Sequence, residues 1–250
     1  MSAVGWAALL GGLGAIFGSF IAALVIRWPA GRSIARGRSA CDACGRTLGP
    51  AELVPIVSFV AQRGRCRGCG ARIDPAHPGI ELAALTIGVL AGAVAPGWAG
   101  VAGAVFGWLL LALAALDIVA FWLPDRLTAL LALAGLASGA AGLMPDLADR
   151  LIGGIAGYAA LAGIALGYKA WRGREGMGGG DPKLMGAIGL WLGWRMLPAV
   201  LVIASLIGLG VALVAHLGGR RMARDTALPF GALLGVAAYP AWLAMVTIAP

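Results

Sequence analysis

Asp117 and Asp181 are the residues whose positions most need a chemical explanation. Asp117 is embedded in the apolar run Leu109-Leu110-Leu111-Ala112-Leu113-Ala114-Ala115-Leu116-Asp117-Ile118-Val119-Ala120, and Asp181 follows Gly178-Gly179-Gly180 and opens a second apolar run, Leu184 to Leu190. A carboxylate at bilayer depth costs about 2.5–3.5 kcal/mol on insertion scales and so marks a function. Two of them at membrane boundaries point to one shared site. The cysteines are the other reactive set. All four stand in one arginine-rich stretch, as Cys41-Asp42-Ala43-Cys44 and Cys66-Arg67-Gly68-Cys69, with 21 residues between the pairs. Two C-x-x-C pairs near this spacing fit a four-thiolate zinc site, closed and therefore structural. Gly45 and Gly70 suit the tight turn of a knuckle.

The elements that position these residues are membrane helices. Hydrophobic residues make up 60% of the 250 and charged residues only 12%, with a mean hydropathy of +0.91. A soluble chain carries about 25% charged residues. The expected fold is an all-α polytopic membrane protein with about eight spans, at 3–26, 80–96, 98–116, 127–144, 151–168, 184–197, 199–217 and 228–248. The expected organisation is a first transmembrane helix over 1–26, a cytoplasmic four-cysteine zinc loop over 27–79, and a seven-helix catalytic region over 80–250. Val4 to Ile26 reads as a retained helix with its N-terminus outside, because no basic residue precedes it and Arg27 ends it. The glycine pairs Gly153 with Gly157 and Gly186 with Gly189 read as helix-packing faces.

Charge sets the orientation. Nine arginines lie between Arg27 and Arg72, and the eight-span count puts 17 of the 19 basic residues on that side, including Arg36, Arg220, Arg221 and Arg224. Only Arg150 and Arg195 fall opposite. That side is cytoplasmic by the excess of Lys and Arg in short loops. A reducing compartment favours metal over disulfides at the cysteines. Asp117 then ends the third span and Asp181 begins the sixth, on the same side. The net charge of +8 follows from these loops, and no nucleic-acid partner is implied.

Structural readings stand beside the chemical ones. Asp181 before Pro182 has the pattern of an N-cap, and so does Asp125 before the fourth span. Gly178 and Gly180 let the backbone bend and a strand approach. Lys183 is either a partner for Asp181 or a boundary lysine. His77, between Ala76 and Pro78, reads as a surface turn residue.

Taken in order, these motifs resemble the type IV prepilin peptidases, over nearly the whole chain. Phe17-Gly18-Ser19-Phe20 with Arg27 and Pro29 resembles the N-terminal motif. The two cysteine pairs, with Pro55 to Ser58 and Gly64-Arg65 between them, resemble the cytoplasmic loop, which Pro78 and Glu81 close. Asp117 with Leu123-Pro124-Asp125 resembles the first aspartate motif. Gly178-Gly179-Gly180-Asp181-Pro182-Lys183-Leu184 resembles the Gly-x-Gly-Asp motif, and Pro229-Phe230-Gly231 the last-span signature. One departure is Asp42-Ala43 inside the first cysteine pair, where the family often has a proline.

The resemblance implies an aspartic endopeptidase of the bacterial inner membrane, with Asp117 and Asp181 catalytic. It would remove the leader of type IV prepilins or pseudopilins after a glycine, on the cytoplasmic side. Members with the cysteine loop commonly also methylate the new N-terminus with S-adenosylmethionine. Two other readings compete: a proton- or cation-coupled transporter, and a presenilin-type protease, which has no use for the cysteine loop.

Overall fold

In the computed structural model the described residues are 1–33, 38–218 and 228–248. Arg36, Arg220, Arg221 and Arg224 lie outside them. The described residues are helical, with no strand beyond two isolated bridges, Ala40 with Thr47 and Arg65 with Arg72. The helices are α1 (Ala3–Arg27), a short α2 (Val57–Ala61), α3 (Ala76–Val94), α4 (Trp98–Ala120), α5 (Asp125–Ala140), α6 (Leu147–Arg172), α7 (Gly180–Leu192), α8 (Leu197–Leu217) and α9 (Phe230–Ile248).

Every expected span overlaps a helix, but among the described residues six helices are long and apolar enough to cross a membrane: α1, α3, α4, α6, α9 and the segment Trp194–Leu217 that contains α8. The expected count of eight is therefore not reached. α5 has 16 residues and α7 has 13. At 1.5 Å per residue both fall short of a bilayer core of about 30 Å. The expected 184–197 span is instead α7 followed by a 3-10 turn at Trp194–Met196, because Gly193 at φ +71° ends the helix. The protein is an all-helical membrane protein, and large apolar side chains such as Ile16, Phe20, Val202 and Leu209 remain exposed for lipid.

The chain divides into two compact units, residues 1–112 and 113–250, within α4. In the first unit α1 packs along α3 through small residues. A Cβ at Gly18 would lie 2.7 Å from the Cα of Glu81, and Gly14 and Gly88 meet the facing backbone more closely still. No larger residue fits these positions, which is how membrane helices gain contact without a hydrophobic drive. Trp108 completes the packing, stacking on Phe17 and donating from Nε1 to the carbonyl of Ala84 at 2.9 Å. His77, expected in a surface turn, lies in the first turn of α3.

In the second unit α7 is the buried centre, with ten of its 13 residues inside. It packs on α6 where Gly153 and Gly189 face each other's backbone, as the glycine spacing predicts, and on α5 where Trp191 Nε1 donates to the carbonyl of Leu131 at 2.7 Å.

Arg150 corrects a sequence expectation. It is not a loop charge but is buried in α6, 1% exposed. Its guanidinium donates to the carbonyls of Gly135 and Leu190 (both 2.9 Å), Leu143 (3.1 Å), Met144 (2.8 Å) and Pro145 (2.8 Å). Gly135 and Leu190 belong to α5 and α7, and Leu143, Met144 and Pro145 to the turn between α5 and α6, where backbone acceptors lack helical partners. One planar cation with five N–H groups supplies them. It thereby fixes the helices that begin with Asp125 and carry Asp181.

Candidate active site and metal centre

Three helix termini in the second unit bring the two aspartates together. Asp117 is in the last turn of α4, Asp181 is the second residue of α7, and α9 begins at Phe230. Asp117 is 5% exposed and Asp181 6%. Asp117 Oδ2 accepts the backbone N–H of Ala232 at 2.8 Å. A Cβ on Gly231 would lie 3.0 Å from Asp117 Oδ2 and 3.2 Å from Asp181 Oδ1. Both carboxylates therefore converge on one glycine at the start of α9. The N-terminus of a helix carries free N–H groups and partial positive charge, so α9 faces the carboxylates with its donor end.

The capping readings fail for both aspartates. The N-cap of α7 is Gly179, with no side-chain cap bond, and Asp181 turns inward. The N-cap of α5 is Pro124, and Asp125 instead pairs with Lys183, Nζ to Oδ1 2.7 Å. This pair is exposed, so Lys183 engages Asp125 and not Asp181. Gly178 accepts the N–H of Asp181 at 3.2 Å through its carbonyl, and a Cβ on Gly178 would lie 3.4 Å from Asp181 Oδ2. Gly180 has a different use. Leu123 seats on Gly180 and on Gly231 alike, at 2.8 Å and 2.7 Å from the positions a Cβ would take. That leucine covers the carboxylate pair on one side. Leu123, Gly231 and Ala232 join the site only in the fold. The sequence signal for Leu123 and Gly231 is their place in the Leu123-Pro124-Asp125 and Pro229-Phe230-Gly231 motifs, and Ala232 only follows the second.

The four cysteines of the first unit meet as their spacing predicts. Their sulfurs all lie within 4.8 Å of one another, and Cys41 and Cys69 are 4.0 Å apart. Metal–thiolate bonds of about 2.3 Å in a tetrahedron require sulfurs about 3.8 Å apart, so the cluster fits a metal ion. The two knuckles repeat one geometry. The N–H of Cys41 meets the carbonyl of Arg46 and that of Cys66 meets Ala71, both at 2.9 Å. The N–H of Gly45 meets Cys41 and that of Gly70 meets Cys66, again at 2.9 Å, with both glycines at φ +71°.

Electrostatics agree with a cation site. The N–H groups of Cys69 and Gly68 bring the Cys66 thiol down to about 6. The N–H of Ala71 favours a thiolate at Cys69 too, but hydrogen bonds with Cys44, burial and the neighbouring thiols push it up to about 11. Four adjacent thiols cannot all ionise without a cation among them. Arg46 braces the loop, binding Glu52 through both oxygens at 2.6 and 3.1 Å, and holds its carboxyl below the usual carboxylate range. Arg27, at the end of α1, reaches the carbonyl of Ala40 at 3.2 Å and so ties the first helix to the first knuckle.

Comparison with known proteins agrees with both halves. The sequence model of the bacterial peptidase A24 N-terminal domain matches residues 13–94, and that of the type IV leader peptidase family matches 104–213. A prepilin leader peptidase/N-methyltransferase of Aeromonas hydrophila is 38% identical over 83% of this chain and 71% of its own length. Proteins of the same name from Burkholderia pseudomallei (strain 1026b) and Klebsiella pneumoniae are 45% and 37% identical, over 82% and 80% of this chain and 67% and 91% of their own lengths. No solved structure matches the chain significantly. With both family models matched in order, and with relatives 37–45% identical over 80–83% of its length, the chain belongs to the type IV leader peptidase family.

Proposed function

We propose that this protein is a membrane endopeptidase that cleaves the leader peptide of type IV prepilins or pseudopilins and then N-methylates the new N-terminus. The observation that carries the peptidase reading is the convergence of two buried carboxylates on Gly231. In this reading Asp117 and Asp181 are the catalytic residues. One, ionised, takes a proton from a water that attacks the scissile carbonyl. The other, protonated, donates to the carbonyl oxygen, and a proton passes to the leaving amine. Two carboxylates held this close share a proton and titrate as a pair. Gly178 and Gly180 shape the turn that presents Asp181, while Lys183 and Asp125 brace the α5–α7 entrance as an ion pair.

In the first unit, Cys41, Cys44, Cys66 and Cys69 hold a structural zinc within the loop 27–79. S-adenosylmethionine supplies the methyl group for the amine released by cleavage. We assign the protein to the bacterial inner membrane, N-terminus outside and both sites cytoplasmic, from the concentration of basic residues in the intervening loops. The transporter reading has no support in the comparisons. The test is incubation with a synthetic prepilin N-terminal segment and S-adenosylmethionine, followed by mass spectrometry. Loss of the leader mass and a gain of one methyl group are expected. An intact segment would refute the peptidase, and a cleaved but unmethylated one would refute the second activity.

A further inference from the structure

In the second unit α5, α6 and α7 enclose a groove of about 720 Å³. Ala129, Ala132 and Leu136 of α5 form one wall, and Leu151, Ile155 and Tyr158 of α6 form the other. Lys183, Ala187 and Leu190 of α7 lie along the floor. On each helix these positions recur at three- and four-residue spacing, so each helix turns one stripe to the groove. The α6 side chains in it are exposed. The charged lining residues are Asp125 and Lys183, which pair across one end at 2.7 Å. Arg150 closes the other end, donating to the carbonyls of Gly135 in α5 and Leu190 in α7, both at 2.9 Å.

The Asp125–Lys183 end is the mouth, and it adjoins the carboxylate pair. Lys183 stands two residues after Asp181, and Asp125 two after Leu123, the side chain that seats on Gly180 and Gly231. From Lys183 to Leu190 the floor runs about two helical turns, roughly 10 Å at 1.5 Å per residue. We infer that this groove seats the first two turns of the substrate's apolar helix, directly after the cleavage site. The inference rests on the peptidase reading above, and it assigns the substrate a place on this chain. A helix laid in an apolar groove is held along its i, i+3, i+4 and i+7 positions, and three facing stripes supply such a seat. Small residues let membrane helices approach closely, and Ala129, Ala132 and Ala187 leave that room. Polarity agrees as well. A leader precedes the helix it is cut from, so the helix lies with its N-terminus at the mouth. That end carries free N–H groups and partial positive charge, which the Asp125 carboxylate complements. A lipid chain gains nothing from a carboxylate there.

The experiment is photo-cross-linking of the unmodified full-length protein with a synthetic prepilin segment that carries benzoylphenylalanine in the first two turns of its apolar helix. Adducts are expected within residues 125–136 and 151–159. Kinetics supply the second measurement. Ala129→Trp fills the groove and should raise KM for the same segment about tenfold with kcat nearly unchanged, the pattern of lost uniform binding. Leu133→Trp lies on the same helix, 63% exposed and outside the groove lining, and should change neither constant. Adducts confined to the first unit or to α8, or equal KM values for the two variants, would overturn the groove as the substrate's seat while cleavage by the unmodified protein keeps the peptidase reading intact. An unmodified protein that does not cleave the segment would overturn that reading and this inference with it.

Discussion

The backbone N–H of Ala232 donates to Asp117 Oδ2 at 2.8 Å, across 115 residues of sequence. The start of α9 thus holds one of the two carboxylates, and Gly231 keeps the space between them open. A methyl group at Gly231 would lie 2.7 Å from Leu123 Cδ1 and 3.0 Å from Asp117 Oδ2. Gly231→Ala should therefore displace the pair and reduce kcat/KM for leader cleavage by about 100-fold, the scale of a misplacement near 1 Å. Cleavage kinetics on protein that inserts normally are the measurement. A wild-type rate would mean that the pair does not act around this glycine.

The Asp125–Lys183 pair leads to the opposite expectation. Its two side chains are 73% and 49% exposed, and exposed ion pairs contribute about 0.2–1 kcal/mol. Asp125→Asn should lower the cleavage rate by no more than about fivefold, the equivalent of 1 kcal/mol. Loss of all activity in Asp125→Asn, with Asp117→Asn still active, would move the catalytic role to Asp125.

Arg150 supplies five buried or part-buried carbonyls in the second unit. Arg150→Met removes all five of these bonds, and a buried group left unsatisfied costs about 1–3 kcal/mol. Thermal unfolding in detergent should show a drop in Tm corresponding to at least about 3 kcal/mol. A Tm unchanged from wild type would show that these bonds do not hold the ends of α5 and α7.

Much of this architecture is legible in the sequence, and the exceptions share a physical cause. Periodic apolar runs and C-x-x-C spacing are local signals, so the helices and the four-sulfur cluster follow from them. The pairing of Asp117 with Asp181 is also recoverable, because a buried carboxylate in an apolar run has few other uses. Arg150 is misread because a loop charge and a buried donor look alike until the helix ends around it are seen. Span number fails at α5 and α7 because hydropathy does not reveal where Gly193 or Ala141 stops a helix. Asp125 looks like a cap, and only the fold brings Lys183 to it. Glu81 can be placed by motif, yet nothing local announces that its buried carboxylate accepts the backbone N–H of Ile56 at 2.7 Å.

The cysteine cluster predicts metal content. Purified protein should contain about one zinc per chain, bound by four thiolates. Cys44→Ser should lower the zinc retained after dialysis against a chelator and open the loop between Arg38 and Ile73 to protease. Elemental analysis showing no zinc in a freshly purified protein, with all four thiols freely titratable, would contradict the assignment.

The central claim is that Asp117 and Asp181 act together on the leader peptide, and single substitutions measure it most directly. Asp117→Asn and Asp181→Asn, each purified as an inserted protein with normal zinc content, are incubated with a synthetic prepilin segment that retains its apolar helix. The account predicts no detectable cleavage by either variant, with the double variant no worse than each single, because the two carboxylates work as one unit. Cleavage at the wild-type rate by either single variant would contradict it.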